Sequence, residues 1–172
     1  RLVADTAMLG LEGFDVLAGI PGRIGGICAM NAGGRWGEFG NTVERIEFVT
    51  RAGRILELDR PDVGFAYRHT QLPAGIVTRV FCRLTVAKDV LAPRQTMGRI
   101  LKEKGAAQPL REPSGGCVFT NPPGESSGKL VEKLGMKGHR RGGAAVSEKH
   151  GNFIVNKGQA RFADVMHLLE LI

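Results

Sequence analysis

Aromatic residues are scarce in this sequence, which has one tryptophan, one tyrosine and eight phenylalanines among 172 residues. A protein that stacks nucleobases on aromatic rings would need a richer supply. No apolar run approaches the roughly eighteen residues that span a bilayer, so we expect no membrane segment. The chain begins at Arg1 without a methionine, and we expect no signal peptide. Because ordered segments run up to both ends, we expect missing sequence at each.

Cysteines are also few. Cys28, Cys82 and Cys117 lie far apart and show no CxxC spacing, so we predict neither a disulfide framework nor a metal site. This usage fits a reducing, cytoplasmic location. Cys28 and Cys82 lie among apolar residues and are expected to be small core residues. Cys117 follows two glycines, a constrained setting typical of catalytic thiols, although a buried structural thiol is the alternative.

The chain is basic, with a formal charge of +7 and a pI near 9.8. Such a balance suits nucleic acid, an anionic membrane or small acidic ligands. The basic residues are scattered, and the densest group, at 137–141, is short. A basic, non-catalytic nucleic-acid-binding protein is therefore an alternative that the pattern disfavours. An ordinary solvated surface and a pocket for phosphates and carboxylates both remain open.

The first part of the chain is rich in strand patterns. Residues 43–49 alternate apolar and polar side chains, residues 50–53 form a turn, and residues 54–58 return. This pattern predicts a β-hairpin. A further strand is predicted over residues 76–86, where valine, isoleucine and phenylalanine recur.

After Ala87 the pattern becomes mixed. Helices are predicted from Pro93 to Gly105, from Ser126 or Ser127 to Gly135, and from about Arg161 onward. The last helix places four apolar residues on one face, namely Val165, Leu168, Leu169 and Ile172. Val146 and the run 152–155 are strand candidates. The pattern therefore favours an α+β protein with a boundary between residues 87 and 93.

Three further polar segments are candidates for ligand binding or catalysis. The glycine-rich segment 19–26 could bring its backbone against a ligand or form an anion-binding nest, although it matches neither GxGxxG nor a P-loop and a tight structural turn is the alternative. Arg68 follows an aromatic residue and could bind a carboxylate or phosphate, or lie solvated at the surface. The segment 138–156 has histidine and glutamate, but their spacing matches no metal motif.

Together, five segments resemble the UDP-N-acetylenolpyruvoylglucosamine reductase family, known as MurB. They are GIPGRIGG at 19–26, MNAGG at 30–34, GFAYR at 64–68, QPLREPSGGCVFTNPPG at 108–124 and GHRRGGAAVSEKHGNFIVN at 138–156. Their shared order along the chain carries the resemblance. Another flavin oxidase of the same FAD-domain superfamily is the related alternative, and the Cys117 loop argues against it.

The resemblance implies a fold and a reaction. Residues 1–87 would be the second lobe of a two-lobed FAD-binding domain, and residues 93–172 a truncated, small mixed α/β substrate-binding domain. NADPH would reduce FAD, and the flavin would reduce the enolpyruvyl group of a UDP-sugar in a monomeric enzyme. The short link between Arg68 and the strand at Ile76 resembles the compact subgroup of the family.

The resemblance also implies site residues. Arg68 matches the cation that stabilises the substrate carboxylate, and Cys117 stands where many members have a proton-donating serine. The positions expected to contact FAD are Gly22, Gly25, Gly26, Asn31, Ala32 and Gly33. Asn121 and, more loosely, Arg111 are expected to bind substrate. The family's catalytic glutamate would lie beyond Ile172, since Glu148 belongs to a different motif, so we expect the chain alone to bind FAD weakly and to be inactive.

Overall fold

The computed structural model describes all 172 residues, Arg1–Ile172. They form two compact units, Arg1–Leu101 and Lys102–Ile172, each with short antiparallel sheets and helices. The boundary falls inside one long helix. No helix has both the length and the apolar composition needed to cross a membrane.

The first unit contains most of the strands. Its helices are α1 (Leu2–Met8), α2 (Ile24–Ala29) and α3 (Arg60–Val63), followed by the start of α4 (Ala92–Ala107). Its strands are β1 (Leu11–Glu12), β2 (Gly33–Gly34), β3 (Gly37–Glu38), β4 (Val43–Thr50), β5 (Ile55–Asp59), β6 (Gly75–Cys82) and β7 (Thr85–Val86). Short 3₁₀ turns lie at Asp15–Leu17 and Phe39–Asn41.

The main sheet of the first unit has the order β5-β4-β6, and all of its pairs are antiparallel. The predicted hairpin is confirmed, because β4 pairs with β5 across the turn at residues 51–54. Ile46 and Phe48 of β4 are buried in a core that includes Phe39 and Cys28. On the opposite face Arg45 pairs with Glu57 at 2.7 Å.

The prediction of one strand over residues 76–86 is wrong. Strand β6 ends at Cys82, and the Arg83 N–H donates to the carbonyl of Thr42 at 2.8 Å. Thr85 and Val86 then pair with Glu12 and Leu11 in a separate two-stranded sheet. Propensity could not reveal this break, because the residues on both sides of it favour strand and only their partners differ.

The second unit completes α4 and adds a four-stranded sheet. Its further elements are β8 (Ser114–Cys117), α5 (Ser127–Lys133), β9 (Arg140–Arg141), β10 (Ala144–Val146), β11 (Phe153–Asn156) and α6 (Phe162–Leu171). The sheet has the antiparallel order β8-β11-β10-β9. Val131 of α5 and Leu168 of α6 are buried with Val146 and Ile154 in its core. The predicted strands and the α6 apolar face are therefore confirmed.

One helix boundary differs from the prediction. Gly105 was expected to end the helix that starts near Pro93, but α4 continues to Ala107. The N–H of Gln108 still donates to the carbonyl of Lys104 at 2.7 Å, so the helical bonding passes straight through the glycine. Glycine weakens a helix interior without being required to end it.

The start of α6 is fastened to the sheet by a carboxylate. One oxygen of Asp164 accepts the N–H of Arg161 at 2.9 Å and the N–H of Gly143 at 3.2 Å. These two backbone hydrogen bonds hold the pKa of Asp164 below its usual value. The helix is thereby tied to the loop between β9 and β10.

Truncating the apolar face of α6 tests this packing. Leu168 is fully buried whereas Leu171, on the same helix, is 49% exposed. Leu168→Ala should lower the free energy of unfolding by about 2–5 kcal/mol, because it leaves a cavity, and Leu171→Ala should change it little. Denaturant unfolding of the two variants makes the comparison. Equal losses would contradict the assigned packing.

Candidate functional site

Arg68 lies at the tip of a tight turn in the first unit. The backbones of Ala66 and His69 exchange hydrogen bonds of 2.9 and 3.2 Å, which closes the turn around Tyr67 and Arg68. The φ angle of Arg68 is +54°, in the left-handed region that favours glycine. Such a conformation costs on the order of 1–3 kcal/mol. The turn therefore keeps an arginine where a glycine would be less strained.

The guanidinium of Arg68 is oriented by backbone and by charge. Its Nη2 donates to the carbonyl of Gly33 at 2.6 Å, and its Nη1 lies 3.5 Å from the carbonyl oxygen of Asn31. The same Nη1 lies 3.9 Å from Oε1 of Glu38. The ring of Tyr67 is 5.0 Å from Cζ. A half-buried cation is thus fixed before any ligand binds.

Asn31 joins the segments around this cation. Its side chain is buried, with 2% of the residue exposed. The amide nitrogen donates to Oε2 of Glu38 and to the carbonyl of Ala66, both at 2.9 Å, and the amide oxygen accepts the N–H of Gly40 at 2.9 Å. Both amide donors are therefore used within the protein, and the backbone N–H of Asn31 donates to the carbonyl of Cys28 at 2.9 Å. Contact of Asn31 with a cofactor stays a prediction.

The predicted cofactor-binding glycines fall into two groups. Gly22 has a φ of +142°, and a Cβ on Gly33 would lie 2.4 Å from the carbonyl oxygen of Gly37, so the fold itself requires both glycines. Gly25 and Gly26 instead lie in the first turn of α2, where N–H groups have no helical partner. A Cβ on Gly26 would meet nothing within 4 Å. Of this second pair, Gly26 faces open space, whereas a Cβ on Gly25 would lie 3.4 Å from the carbonyl oxygen of Val77.

Cys117 ends strand β8 in the second unit, opposite Phe153 of β11. Its side chain is exposed, so the alternative of a buried structural thiol does not hold. It borders a cavity of about 460 Å³. The residues that line this cavity are Pro113, Ser114, Gly115, Gly116, Cys117, Val118, Ile154, Val155, Asn156, Ala160, Arg161, Phe162 and Val165. The thiol therefore lies beside a largely apolar recess with one cationic side chain.

The loop after Cys117 is held by a second buried asparagine. Oδ1 of Asn152 accepts the N–H of Val118 at 3.2 Å and of Phe119 at 2.8 Å, and Nδ2 donates to the carbonyl of Phe119 at 2.8 Å. Only 3% of Asn152 is exposed. Because the clamp begins at the residue after Cys117, it fixes the end of β8. Sequence reasoning missed Asn152, which stood in a polar stretch with no spacing signal.

The predicted substrate-binding residues lie outside this cavity. Asn121 is exposed, and its Oδ1 accepts the N–H of Ser127 at 3.0 Å, which caps the start of α5. The cap thus comes from Asn121, since the side chain of Ser126 makes no capping bond. Arg111 is exposed in the turn before β8. Neither lines the cavity of Cys117, and their roles toward substrate stay predictions.

The other two cysteines lie in the first unit. Cys28 is fully buried, and burial, with a smaller contribution from nearby Cys82, raises the pKa of its thiol to about 11. Cys82 is partly buried, packs against the same core, and also has a raised pKa through burial. The expectation that both are small core residues is confirmed for Cys28, and Cys82 lies at the edge of the core.

Comparisons with known proteins place these features in one family. Residues 108–172 match the model of the UDP-N-acetylenolpyruvoylglucosamine reductase C-terminal domain. The reductase of Anaeromyxobacter dehalogenans is 45% identical over 172 residues, and that of Thermus thermophilus is 43% identical over 175 residues, each covering 99% of this chain. Nearly the whole chain is therefore similar to MurB reductases.

A solved structure agrees with this similarity. The crystal structure of MurB from Thermus caldophilus superimposes with a TM-score of 0.92 at 41% identity, and the match covers 99% of this chain. The family resemblance predicted from the five sequence segments is confirmed. The chain spans 52% of the Anaeromyxobacter relative and 63% of both Thermus proteins.

Thiol labelling tests the assigned environments of the cysteines. At neutral pH, iodoacetamide should modify Cys117 first because its side chain is exposed. Cys28 should stay unmodified, since burial both blocks the reagent and raises its pKa. Peptide mass spectrometry of the native protein gives the sites, and Cys117→Ser should remove the fast phase. Fast modification of Cys28 in the native protein would contradict the structure.

Proposed function

We propose that this chain acts within an enzyme that reduces UDP-N-acetylglucosamine enolpyruvate to UDP-N-acetylmuramate, using FAD and NADPH, in peptidoglycan precursor synthesis. One observation carries the proposal: 99% of the chain aligns at 45% identity with a reductase of that name. The aligned region includes both the turn of Arg68 and the strand end of Cys117. We further propose that the enzyme is a cytoplasmic monomer.

The cofactor site would be built mainly from backbone. Bound FAD, once reduced by NADPH, supplies the hydride that the substrate double bond accepts. The residues that would hold it are Gly22, Gly25, Gly26, Asn31, Ala32 and Gly33. The open space at Gly26 would let such a ligand approach the backbone closely. Asn31 would shape the neighbouring loop through its internal hydrogen bonds.

Arg68 would stabilise the substrate carboxylate. Hydride addition to an unsaturated carboxylate builds negative charge on that group, and a fixed cation lowers the energy of this charge. Donors of this kind contribute about 3–4 kcal/mol when oriented in advance. The short bond from Arg68 to the carbonyl of Gly33 supports such orientation. The Nε of Arg68, which donates to no protein acceptor, would remain available to the substrate.

Cys117 would protonate the adjacent carbon. A thiol has a pKa near 8.5 in its unperturbed state, so it is mostly protonated at neutral pH and yet releases a proton more easily than an alcohol. Its exposure beside the recess supports access by a ligand. Asn121 would bind substrate through its amide nitrogen, since its oxygen caps α5. The exposed Arg111 would face substrate phosphates.

The activity can be tested with the chain expressed together with its flanking coding sequence, to the length of its relatives; we call this the extended protein. Without oxygen, NADPH should bleach its flavin absorbance, and UDP-N-acetylglucosamine enolpyruvate should restore it. A protein that binds no flavin, or a reduced flavin that the substrate does not reoxidise, would contradict the proposal.

Replacing the thiol tests the proton-donor role. In the extended protein, Cys117→Ala should leave flavin reduction by NADPH unchanged and slow substrate turnover by about 10²–10⁴-fold, the usual contribution of a general acid. Cys117→Ser should retain more activity because it keeps a proton to donate. Cys82→Ala is the matched control and should turn over normally. Full turnover by Cys117→Ala would rule out the role.

A further inference from the structure

The two carboxylate oxygens of Glu38 have different partners. Its Oε2 accepts a hydrogen bond of 2.9 Å from the buried amide of Asn31, whereas its Oε1 lies 3.9 Å from Nη1 of Arg68. That separation is too long for a hydrogen bond, which joins such atoms at roughly 2.7–3.2 Å. Glu38 therefore attracts the guanidinium by charge without taking up one of its donors.

The fold makes room for this carboxylate. Glu38 of β3 pairs directly with Gly33 of β2. A Cβ on Gly33 would lie 2.6 Å from Cα and 2.8 Å from Cγ of Glu38, so a larger residue at 33 would displace it. The carbonyl of the same Gly33 accepts the 2.6 Å bond from Nη2 of Arg68. One glycine thus admits the carboxylate and anchors the cation.

The guanidinium of Arg68 is contacted by backbone carbonyls, a carboxylate and an aromatic ring. The carbonyls of Gly33 and Asn31, the carboxylate of Glu38 and the ring of Tyr67 are the protein groups that it meets. The carbonyl of Gly33 accepts a hydrogen bond from Nη2, the carbonyl of Asn31 lies near Nη1, and the Glu38 carboxylate carries the compensating charge. Since the side chains of Glu38 and Arg68 are 32% and 27% exposed, a second anion can approach the same guanidinium.

We propose that Glu38 is a positioning residue for Arg68. It holds the guanidinium in its binding orientation in the absence of substrate, and its loose ion pair yields to the carboxylate of the substrate. The inference deepens the proposed function and depends on it, because it concerns how Arg68 is prepared for an anionic substrate. It concerns Glu38 alone and adds no step to the reaction.

Two substitutions in the extended protein separate charge from packing. Glu38→Ala should lower kcat by about a hundredfold and Glu38→Gln by roughly tenfold, since misplacing a catalytic group by about 1 Å has costs of this order. Glutamine keeps an acceptor for Asn31 but loses the charge. KM should not rise in either variant, because the competing carboxylate is gone. Flavin reduction by NADPH should stay normal.

The matched control is Glu44→Gln. Glu44 also pairs with an arginine, Arg83, on the surface of the first unit, and its side chain is 48% exposed. It lies in β4, outside the segments expected to contact FAD or substrate. Its substitution should leave kcat and KM unchanged. An equal effect of Glu44→Gln and Glu38→Gln would overturn the specific role of Glu38.

A double substitution distinguishes positioning from a general structural role. In the Arg68→Ala background, Glu38→Ala should cause no further loss of kcat, because a residue that acts through Arg68 has nothing left to position. A separate structural contribution would add a further loss and overturn the inference. The guanidinium NMR signals of Arg68 should also show restricted rotation in the wild type and freer rotation in Glu38→Ala.

The outcomes also separate this inference from the proposed function. If Arg68→Ala slows substrate turnover and Glu38→Ala does not, the positioning role is wrong and the reductase assignment stands. If Arg68→Ala itself leaves turnover unchanged, both the role of Arg68 and the role of Glu38 fail. Should Glu38→Ala not fold, Glu38→Gln still decides, because it keeps the acceptor for the Asn31 amide.

Discussion

The buried amide of Asn31 is the constraint on which the first unit's candidate site depends. It ties Glu38, Gly40 and Ala66 together through three hydrogen bonds of 2.9 Å. In an environment with 2% exposure, an unpaired amide or N–H would cost about 1–3 kcal/mol. Breaking these hydrogen bonds would cost free energy, so the loop segments keep one arrangement. Ala66, one of the residues held by Asn31, begins the turn that contains Arg68.

In the second unit, a buried asparagine likewise holds the loop next to Cys117. Asn152 is buried and makes three hydrogen bonds with the backbone of residues 118–119, directly after Cys117. In both units a buried asparagine, hydrogen-bonded through its amide oxygen and its amide nitrogen, fixes a loop that presents Arg68 or Cys117 at the surface. Loops placed by a rigid scaffold commonly carry function in this way. The scaffold itself is ordinary packing of strands against helices.

Much of the scaffold could be predicted from local patterns. Alternation over residues 43–58 identified the hairpin, and the spacing of Val165, Leu168 and Ile172 identified the buried face of α6. The break after Cys82 could not be predicted, because it depends on which strands pair with residues 75–82 and 85–86. The same limit applies to the end of α4, since Gly105 is a poor helix former that the helix nevertheless includes.

The candidate site was predictable only where a motif carried it. Arg68 and Cys117 were found through resemblance, whereas Glu38 and Asn152 were missed, because their partners lie 7 to 34 residues away and only the folded chain brings them together. The surroundings of the glycines could not be predicted either. Gly33 packs against Glu38 and Gly26 faces open space, and this difference depends on the folded structure.

The central claim is that the fixed guanidinium of Arg68 acts on the substrate carboxylate. Rapid mixing of NADPH-reduced extended protein with UDP-N-acetylglucosamine enolpyruvate measures this step alone, by the return of flavin absorbance. For Arg68→Ala the rate of return should fall by about 10²–10³-fold, while the preceding reduction by NADPH keeps its wild-type rate. A wild-type rate of return would contradict the account.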